Sequence, residues 1–184
     1  SRLRLKVLKK TKRKLFYFFC FIFFFAFIKA CVFDVKKVSG PSMEPSLKDG
    51  DCVFIFKAAY GIKHPLKNKY IFHWARPKSG DIIVYRKDGH FTVKRCLGIS
   101  EEPIEFSKKL GYNYDYSMKV SGKDIPLTAV QFRNLGGMSD EEQVRVPAGY
   151  VLALGDNLKE SHDSRDYGFV LVDGIYGKVF IWKK

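Results

Sequence analysis

Three short stretches of the chain carry residue types that could perform chemistry together, and the first contains a serine in a sharp bend. Ser42 follows Gly40 and Pro41 and precedes a second proline-stopped turn. A serine hydroxyl becomes a nucleophile when a neighbouring base removes its proton. Because Pro41 has no N–H, the free backbone donor at this bend is that of Ser42, which could stabilise an oxyanion. Serine in a Gly/Pro turn is also a common turn residue, so this stretch alone does not predict catalysis.

The second stretch places a lysine on a predicted strand. Alternate residues of a strand share a face, so Lys94 lies with Thr92 and Cys96, whereas Arg95 points the other way. A desolvated lysine has a lowered pKa and can serve as a general base near neutral pH. By itself, the pattern also fits an edge strand whose basic side chains reach the solvent.

The third stretch, residues 155–168, is dense in carboxylates and hydroxyls and is bracketed by glycines. Within it, Asp163 and Arg165 could form an ion pair, and Ser161 could hydrogen-bond a buried amine. The same composition fits a solvated loop. His162 lies next to Asp163, but neighbouring side chains need not face each other, so a histidine-based triad is the weaker interpretation.

In this order, the stretches resemble the conserved boxes of the type I signal peptidases. These are membrane-bound Ser–Lys serine endopeptidases that remove signal peptides from exported preproteins. The match covers residues 39–47, 80–86, 93–98 and 155–168. The resemblance implies that Ser42 is the nucleophile and that Lys94 is the general base.

The resemblance also implies which groups support these two. Some family members carry a serine two residues before the nucleophile; Gly40 is there instead, so the oxyanion hole would depend on backbone N–H groups, chiefly that of Ser42. Ser161 would orient the amine of Lys94. Two ion pairs would brace the site, Asp163 with Arg165 and Asp156 with Arg95.

The implied substrate is an extended signal peptide with small residues one and three positions before the cut. The expected apolar lining of its pocket is Val38, Met43, Leu47 and Val93. Membrane lipid is the second expected partner. No cofactor is expected, and no metal, since no His, Cys and Asp spacing fits a zinc site.

The N-terminal region predicts a membrane anchor. Residues 1–14 contain eight Lys or Arg and no acid, and residues 15–33 are apolar except for Lys29. As a helix the latter would span about 28 Å, close to the thickness of the hydrocarbon core. The basic residues predict a cytoplasmic N-terminus of a single-pass protein in the bacterial cytoplasmic membrane, with residues 34–184 outside the cytoplasm. A cleavable signal peptide also begins in this way, but no small-x-small site follows.

The net charge of +14 is concentrated in that basic tail. A nucleic-acid-binding protein would carry such charge on a folded face, so no nucleic-acid partner is expected.

The rest of the chain is predicted to be mainly β: an extracytoplasmic antiparallel catalytic domain of the signal peptidase type, over residues 34–184. Short β-branched and aromatic runs bounded by turn residues predict strands. They cover residues 33–38, 51–57, 81–86, 91–99, 150–155 and 174–182. The Asp88-Gly89 pair predicts a hairpin turn. Residues 100–143 are polar and weakly patterned, which predicts a variable insertion of loops and short strands.

Two points on individual side chains stay as expectations. Cys52 and Cys96 are expected to be unpaired thiols in the core. The aromatic residues Phe54, Phe56, Phe72 and Trp74 are equally compatible with core positions and with a surface that dips into lipid.

Other functions remain open beside the resemblance. They are a specialised relative that processes conjugative pilins, a self-cleaving repressor-type Ser–Lys protease, and an inactive membrane-tethered module that binds signal peptides. The Gly155-Asp156-Asn157 start of the last box favours the general signal peptidase, the predicted anchor argues against a soluble repressor, and the presence of both Ser42 and Lys94 argues against an inactive module.

Overall fold

A long helix leads directly into a body of β structure in the computed structural model, which describes residues 2–64, 69–108, 115–137 and 143–180. The helices are α1 (Arg2–Cys31), α2 (Ala129–Asn134) and α3 (Ser164–Tyr167). The strands are β1 (Phe33–Lys37), β2 (Cys52–Phe56), β3 (Gly61–Lys63), β4 (Tyr70–His73), β5 (Ile82–Lys87), β6 (His90–Gly98), β7 (Pro103–Lys108), β8 (Tyr116–Val120), β9 (Lys123–Leu127), β10 (Gln143–Arg145), β11 (Tyr150–Leu154), β12 (Val170–Leu171) and β13 (Ile175–Phe180).

All strand pairs are antiparallel, which agrees with the predicted mainly β fold. The largest sheet has the order β1-β2-β13-β5-β6-β11-β12, a smaller one has the order β10-β7-β8-β9, and β3 pairs with β4. The six strands predicted from the sequence all lie in the largest sheet and agree with the observed bounds to within two residues. The end of the last predicted strand, residues 181 and 182, lies outside the described residues.

The β5–β6 hairpin shows why the turn could be recognised. Lys87 pairs with His90 across it. Asp88 and Gly89, the two residues between them, have φ values of 50° and 81°. Positive φ at both central residues is the requirement of a type I′ turn, which Asp-Gly meets at low cost.

Residues 100–143 are better ordered than the sequence predicts. The region contains β7, β8, β9 and α2, and its strands form a separate sheet whose apolar side packs in one core with residues of β6 and β11. That core includes Ile104, Phe106, Met118, Leu127 and Phe132. Inward apolar residues alternate with charged ones along these strands, which hides the pattern in a count of hydrophobic residues. Residues 109–114 and 138–142 lie outside the described part of the chain.

The largest sheet is buried on both faces around β5, and this double burial positions the site. Ile82 and Val84 pack on one face, and Ile83 and Tyr85 pack on the other. A strand buried on both faces is apolar at consecutive positions, as β5 is. The first face also receives residues of the segment after β1 and of β6.

Helix α1 continues into β1 through Val32. The N–H of Lys57 donates to the Val32 carbonyl at 2.8 Å, and the Lys57 ammonium donates to the Lys29 carbonyl at 3.0 Å. A cation at a helix C-terminus interacts favourably with the helix dipole. Along α1, the aromatic side chains between Phe16 and Phe27 are more than half exposed. Over the described residues, the structure contains no helix with both the length and the apolarity of a membrane span, so the anchor predicted for residues 15–33 is not confirmed.

Candidate active site

The segment after β1 holds Ser42 at the surface by burying its neighbours. Gly40 has φ of +85°, a conformation that glycine adopts without strain, and its N–H donates to the Asp49 carboxylate at 2.8 Å. Met43 and Leu47 are 1% and 2% exposed. These two anchors leave Ser42 half-buried at the rim of the core.

The structure brings Lys94 to Ser42. Lys94 lies on β6 opposite Ile83 of β5 and is 4% exposed. Its Nζ donates to Ser42 Oγ at 2.8 Å. Burial lowers the pKa of Lys94, and the nearby charge of Asp163 only partly opposes this effect. A lysine with a lowered pKa in hydrogen-bond contact with a serine hydroxyl can remove its proton.

The backbone of Ser42 is held on one side and open on the other. Its carbonyl accepts a hydrogen bond from the Asn157 N–H at 3.1 Å. No group in the described part of the chain accepts a hydrogen bond from the Ser42 N–H. The arrangement predicted at this bend, with a free donor beside the hydroxyl, is therefore present, and this donor can receive a developing oxyanion.

Asp163 and Arg165 form a buried ion pair under the site. Their side chains are 0% and 2% exposed, and Arg165 Nε and Nη2 donate to the two Asp163 oxygens at 2.9 and 3.0 Å. Asp163 also accepts from the Gly155 N–H at 3.0 Å. The second role of Arg165 is to donate to the carbonyls of Leu158 and Ser161. One ion pair thus organises the whole loop between β11 and α3.

Ser161 does not make the hydrogen bond that was expected of it. Its hydroxyl is buried, and it has no hydrogen-bond partner among the described residues, so the Ser161–Lys94 contact implied by the resemblance is absent. The Ser161 hydroxyl lies against Gly155, since a Cβ built on Gly155 would be 2.2 Å from Ser161 Oγ.

The second ion pair joins three segments. Arg95 Nε and Nη2 donate to the Asp156 carboxylate at 2.7 and 2.6 Å. The same guanidinium donates to Ser46 Oγ at 3.2 Å and to the Gly80 carbonyl at 2.9 Å. The pairing of Asp156 with Arg95 therefore ties β6 to the segment that carries Ser42. The contact with Ser46 could not be seen in the sequence.

The four expected pocket residues lie together. Val38, Met43 and Leu47 belong to one buried cluster, and Val93 packs against it from β6. On β6, Val93 and Lys94 are neighbours that point to opposite faces. The apolar cluster and the amine are therefore presented by opposite faces of this strand.

Gly155 is the residue that sequence reasoning missed as a contributor to the site. A Cβ there would lie 2.4 Å from the Ser42 carbonyl oxygen as well as against Ser161. Only glycine allows the last box to approach the nucleophile this closely. Its place directly after the buried strand β11 was the available signal.

A His162–Asp163 pair is absent from the described structure. His162 is 75% exposed and contacts Asp166 at 3.3 Å, whereas Asp163 binds Arg165. No group of three or more His, Cys, Asp or Glu residues in the described ranges could hold a metal ion. Cys96 is buried as expected, Cys52 is exposed instead of lying in the core, and both are unpaired.

Comparison with known proteins assigns the chain. A model of the family described as signal peptidase, peptidase S26, matches residues 11–183. The chain belongs to this family. The predicted class of enzyme, a serine-protease signal peptidase, is thereby confirmed.

Curated relatives extend over most of the chain. The signal peptidase I of Pseudomonas fluorescens is 26% identical over 90% of this chain and 70% of its own length. The signal peptidase I of Bacillus caldolyticus is 30% identical over 84% of this chain and 81% of its own. A crystal structure of a signal peptidase I from Enterococcus faecalis V583 is 26% identical over 56% of this chain and 96% of its own, with a TM-score of 0.36.

Proposed function

We propose that this peptidase cleaves signal peptides from exported preproteins, with Ser42 as the nucleophile and Lys94 as the general base. One observation carries the proposal: Lys94 Nζ lies 2.8 Å from Ser42 Oγ while Lys94 is 4% exposed. A buried amine in contact with a hydroxyl is the minimum arrangement for serine proteolysis without a histidine. Membership of the signal peptidase family supports the substrate class.

The proposed reaction proceeds through an acyl-enzyme. Neutral Lys94 takes the proton of Ser42 as Oγ attacks the scissile carbonyl carbon, and the Ser42 N–H stabilises the resulting oxyanion. When the C–N bond breaks, Lys94 gives its proton to the leaving amine. A water molecule then loses a proton to Lys94 and attacks the ester carbon. The bond from that carbon to Ser42 Oγ breaks, Lys94 returns the proton to Oγ, and the signal peptide leaves with a free carboxylate.

The pH dependence follows from the base. Lys94 must be neutral to act, and burial lowers its pKa below the ordinary value of a lysine. We therefore expect kcat/KM to be low at acidic pH and to rise with pH through this lowered pKa. Desolvation is the physical reason: it penalises the ammonium and so makes the neutral amine available closer to physiological pH.

The proposed specificity is for small residues one and three positions before the cut. The apolar side of the proposed pocket is the cluster of Val38, Met43 and Leu47, against which Val93 packs. Met43 and Leu47 are almost fully buried, so displacing them for a bulky side chain would be costly. We expect Phe or Leu at either substrate position to block cleavage.

We propose that membrane lipid is the second partner, with the N-terminus in the cytoplasm and residues 34–184 on the outer side. The exposed aromatic side chains of α1 and the eight basic residues that precede residue 15 support this topology. Phe54, Phe72 and Trp74 are all more than half exposed. Their exposed rings could enter the lipid surface, where Trp and Phe side chains bury apolar area.

The decisive experiment uses the full detergent-solubilised chain and a preprotein with an Ala-x-Ala site. Wild type should cleave it, and Ser42→Ala and Lys94→Met should each reduce the rate more than about a thousandfold, since nucleophile and base act as a unit. Lys119→Met, which removes an exposed lysine on β8, is the matched control and should retain activity.

Each outcome has a clear meaning. Equal cleavage by Ser42→Ala would refute the assignment of the nucleophile. If wild type fails on this preprotein, an acylating inhibitor followed by intact-mass measurement separates two cases: labelling of Ser42 indicates an active peptidase with other substrates, such as pilins, and no labelling indicates an inactive binding module.

A further inference from the structure

A cluster of cationic and aromatic side chains lies beyond the apolar pocket. The cluster consists of Lys36 on β1, Arg86 on β5, Phe91 on β6, and Tyr176 on β13, with Asp34 beside them. Lys36 Nζ and Arg86 Cζ each lie 4.7 Å from the centroid of the Phe91 ring. The Phe91 and Tyr176 rings pack with centroids 4.8 Å apart. The ring of Phe91 thus holds two cations in place.

The cluster carries more positive charge than its own carboxylate can balance. Asp34 accepts hydrogen bonds from its neighbour Val35 and from Tyr176, and it contacts Lys36 Nζ at 3.4 Å. Arg86 has no carboxylate within ion-pair distance in the described part of the chain. Its guanidinium is exposed and keeps its hydrogen-bond donors available.

The cluster lies in register with the pocket. Lys36 on β1 is two residues before Val38, which directly follows the strand, and Phe91 is two residues before Val93 on β6. Alternate residues of a strand share a face and are about 7 Å apart. The cluster is therefore one repeat further from Ser42 than the pair Val38 and Val93.

Free strand edges allow a peptide to follow this register. Among the described strands, β1 pairs with β2 alone and lies at the edge of its sheet. On β6, the pairing with β11 begins at Arg95, so within the same described set residues 90–94 pair with β5 alone. An extended peptide can add to such edges through backbone hydrogen bonds.

The direction of the peptide follows from the chain itself, on the basis of the proposed function. The apolar segment of a signal peptide precedes the cleavage site, just as the apolar part of α1 precedes β1. If both apolar segments lie on the same side, the substrate runs parallel to β1 towards Ser42. Side chains one, three and five positions before the cut then share one face.

We propose that Lys36 and Arg86 form a subsite for an acidic side chain five residues before the scissile bond. The substrate side chains one and three positions before the cut reach the pocket around Val38 and Val93. The side chain five positions before the cut reaches the cluster. A substrate carboxylate at that position would neutralise the positive charge that Asp34 leaves unbalanced, and Arg86 would donate two hydrogen bonds to it. A cationic side chain at the same position would be repelled.

The test compares three preproteins that differ only at this position, with Glu, Gln or Lys. We expect kcat/KM to fall about five- to tenfold from Glu to Lys, as for a partly exposed ion pair, and the difference to shrink in 1 M salt. Lys36→Met and Arg86→Met should each lower the Glu-to-Lys ratio, and Lys36→Glu should reverse it. Lys37→Met is the matched control, since Lys37 lies on the opposite face of β1 and should leave the ratio unchanged.

A Glu-to-Lys ratio near one in wild type would overturn the subsite, as would a ratio that Lys36→Met and Arg86→Met both leave intact. If no substrate is cleaved, the proposed function fails instead. Binding of the three signal peptides, with Glu, Gln or Lys at this position, to Ser42→Ala then still decides the subsite. Fluorescence anisotropy measures this binding. Equal affinities for the Glu and Lys peptides would reject it.

Discussion

Two aspartate–arginine pairs flank Lys94, and they differ in burial. The Asp163–Arg165 pair is 0% and 2% exposed, whereas the side chains of Arg95 and Asp156 are 23% and 15% exposed. The buried pair organises one loop from within, and the other pair joins separate segments at the rim. Breaking a buried ion pair costs more free energy than breaking an exposed one, and a buried pair is less screened by solvent and salt. The two pairs should therefore respond differently to substitution, salt and pH.

The largest expected effect is on the buried pair. Arg165→Met leaves the Asp163 carboxylate buried without its counter-charge, and we expect the free energy of unfolding to fall by about 3–5 kcal/mol. Urea denaturation measures the loss. Arg133→Met, at an exposed position of α2, is the control and should stay within about 0.5 kcal/mol of wild type. A loss below about 1 kcal/mol for Arg165→Met would remove the basis of the comparison.

The next effect is at Gly155, whose N–H binds Asp163. In Gly155→Ala the new Cβ would press on the Ser42 carbonyl and on Ser161. Because about 1 Å of displacement at a reacting group can cost a hundredfold in rate, we expect kcat to fall by about that factor. Gly174→Ala is the matched control, since a Cβ at that position meets open space. Equal rates for the two variants would show that the close approach is not needed for cleavage.

A smaller effect is expected at the rim. Arg95→Met should lower the free energy of unfolding by about 1–2 kcal/mol, because a partly exposed ion pair contributes less to stability than a buried one. The difference from wild type should decrease in 1 M salt, whereas the Arg165→Met difference should not. The same salt dependence for both variants would contradict the distinction between rim and interior.

The smallest effect concerns pH. Burial alone would raise the pKa of Asp156, but the hydrogen bonds from Arg95 and Ser46 outweigh it and lower the pKa. Its contribution to stability is therefore complete above the unfolded-state pKa of about 3.9 and is lost as pH falls through the lower folded-state pKa. The stability difference between wild type and Asp156→Asn should stay constant from about pH 5 to 7 and shrink below about pH 4. A constant difference down to pH 2 would contradict this origin.

The sequence predicted the large sheet well and the small one poorly, for a physical reason. Strands such as β5 are buried on both faces and read as continuous apolar runs. In β7 and β8, charged residues such as Glu105 and Lys119 alternate with buried apolar ones, so the sequence of each strand as a whole looks polar. The strands β3 and β4 were missed because they are short.

The site was predictable in its residue types and less so in its contacts. Ser42 and Lys94 are far apart in the chain, and no local pattern places a turn after β1 against β6; only the resemblance paired them. The expected hydrogen bond from Ser161 to Lys94 is absent among the described residues, and the packing of Ser161 against Gly155 is a property of the folded backbone that the sequence does not reveal. The ion pair of Asp163 with Arg165 needed only a short loop, and such local pairs can be read from spacing.

Because α1 passes directly into β1, the structure sets a minimum distance between the helix and Ser42. Residues 32–41 separate the end of the helix from Ser42, and five of them form the strand β1, which is about 17 Å long. A substrate whose apolar segment lies beside α1 must cover at least the length of β1 before it reaches Ser42, which takes at least about five residues in extended form. The enzyme would then select the bond to cut by its distance from the apolar segment as well as by the residues around it.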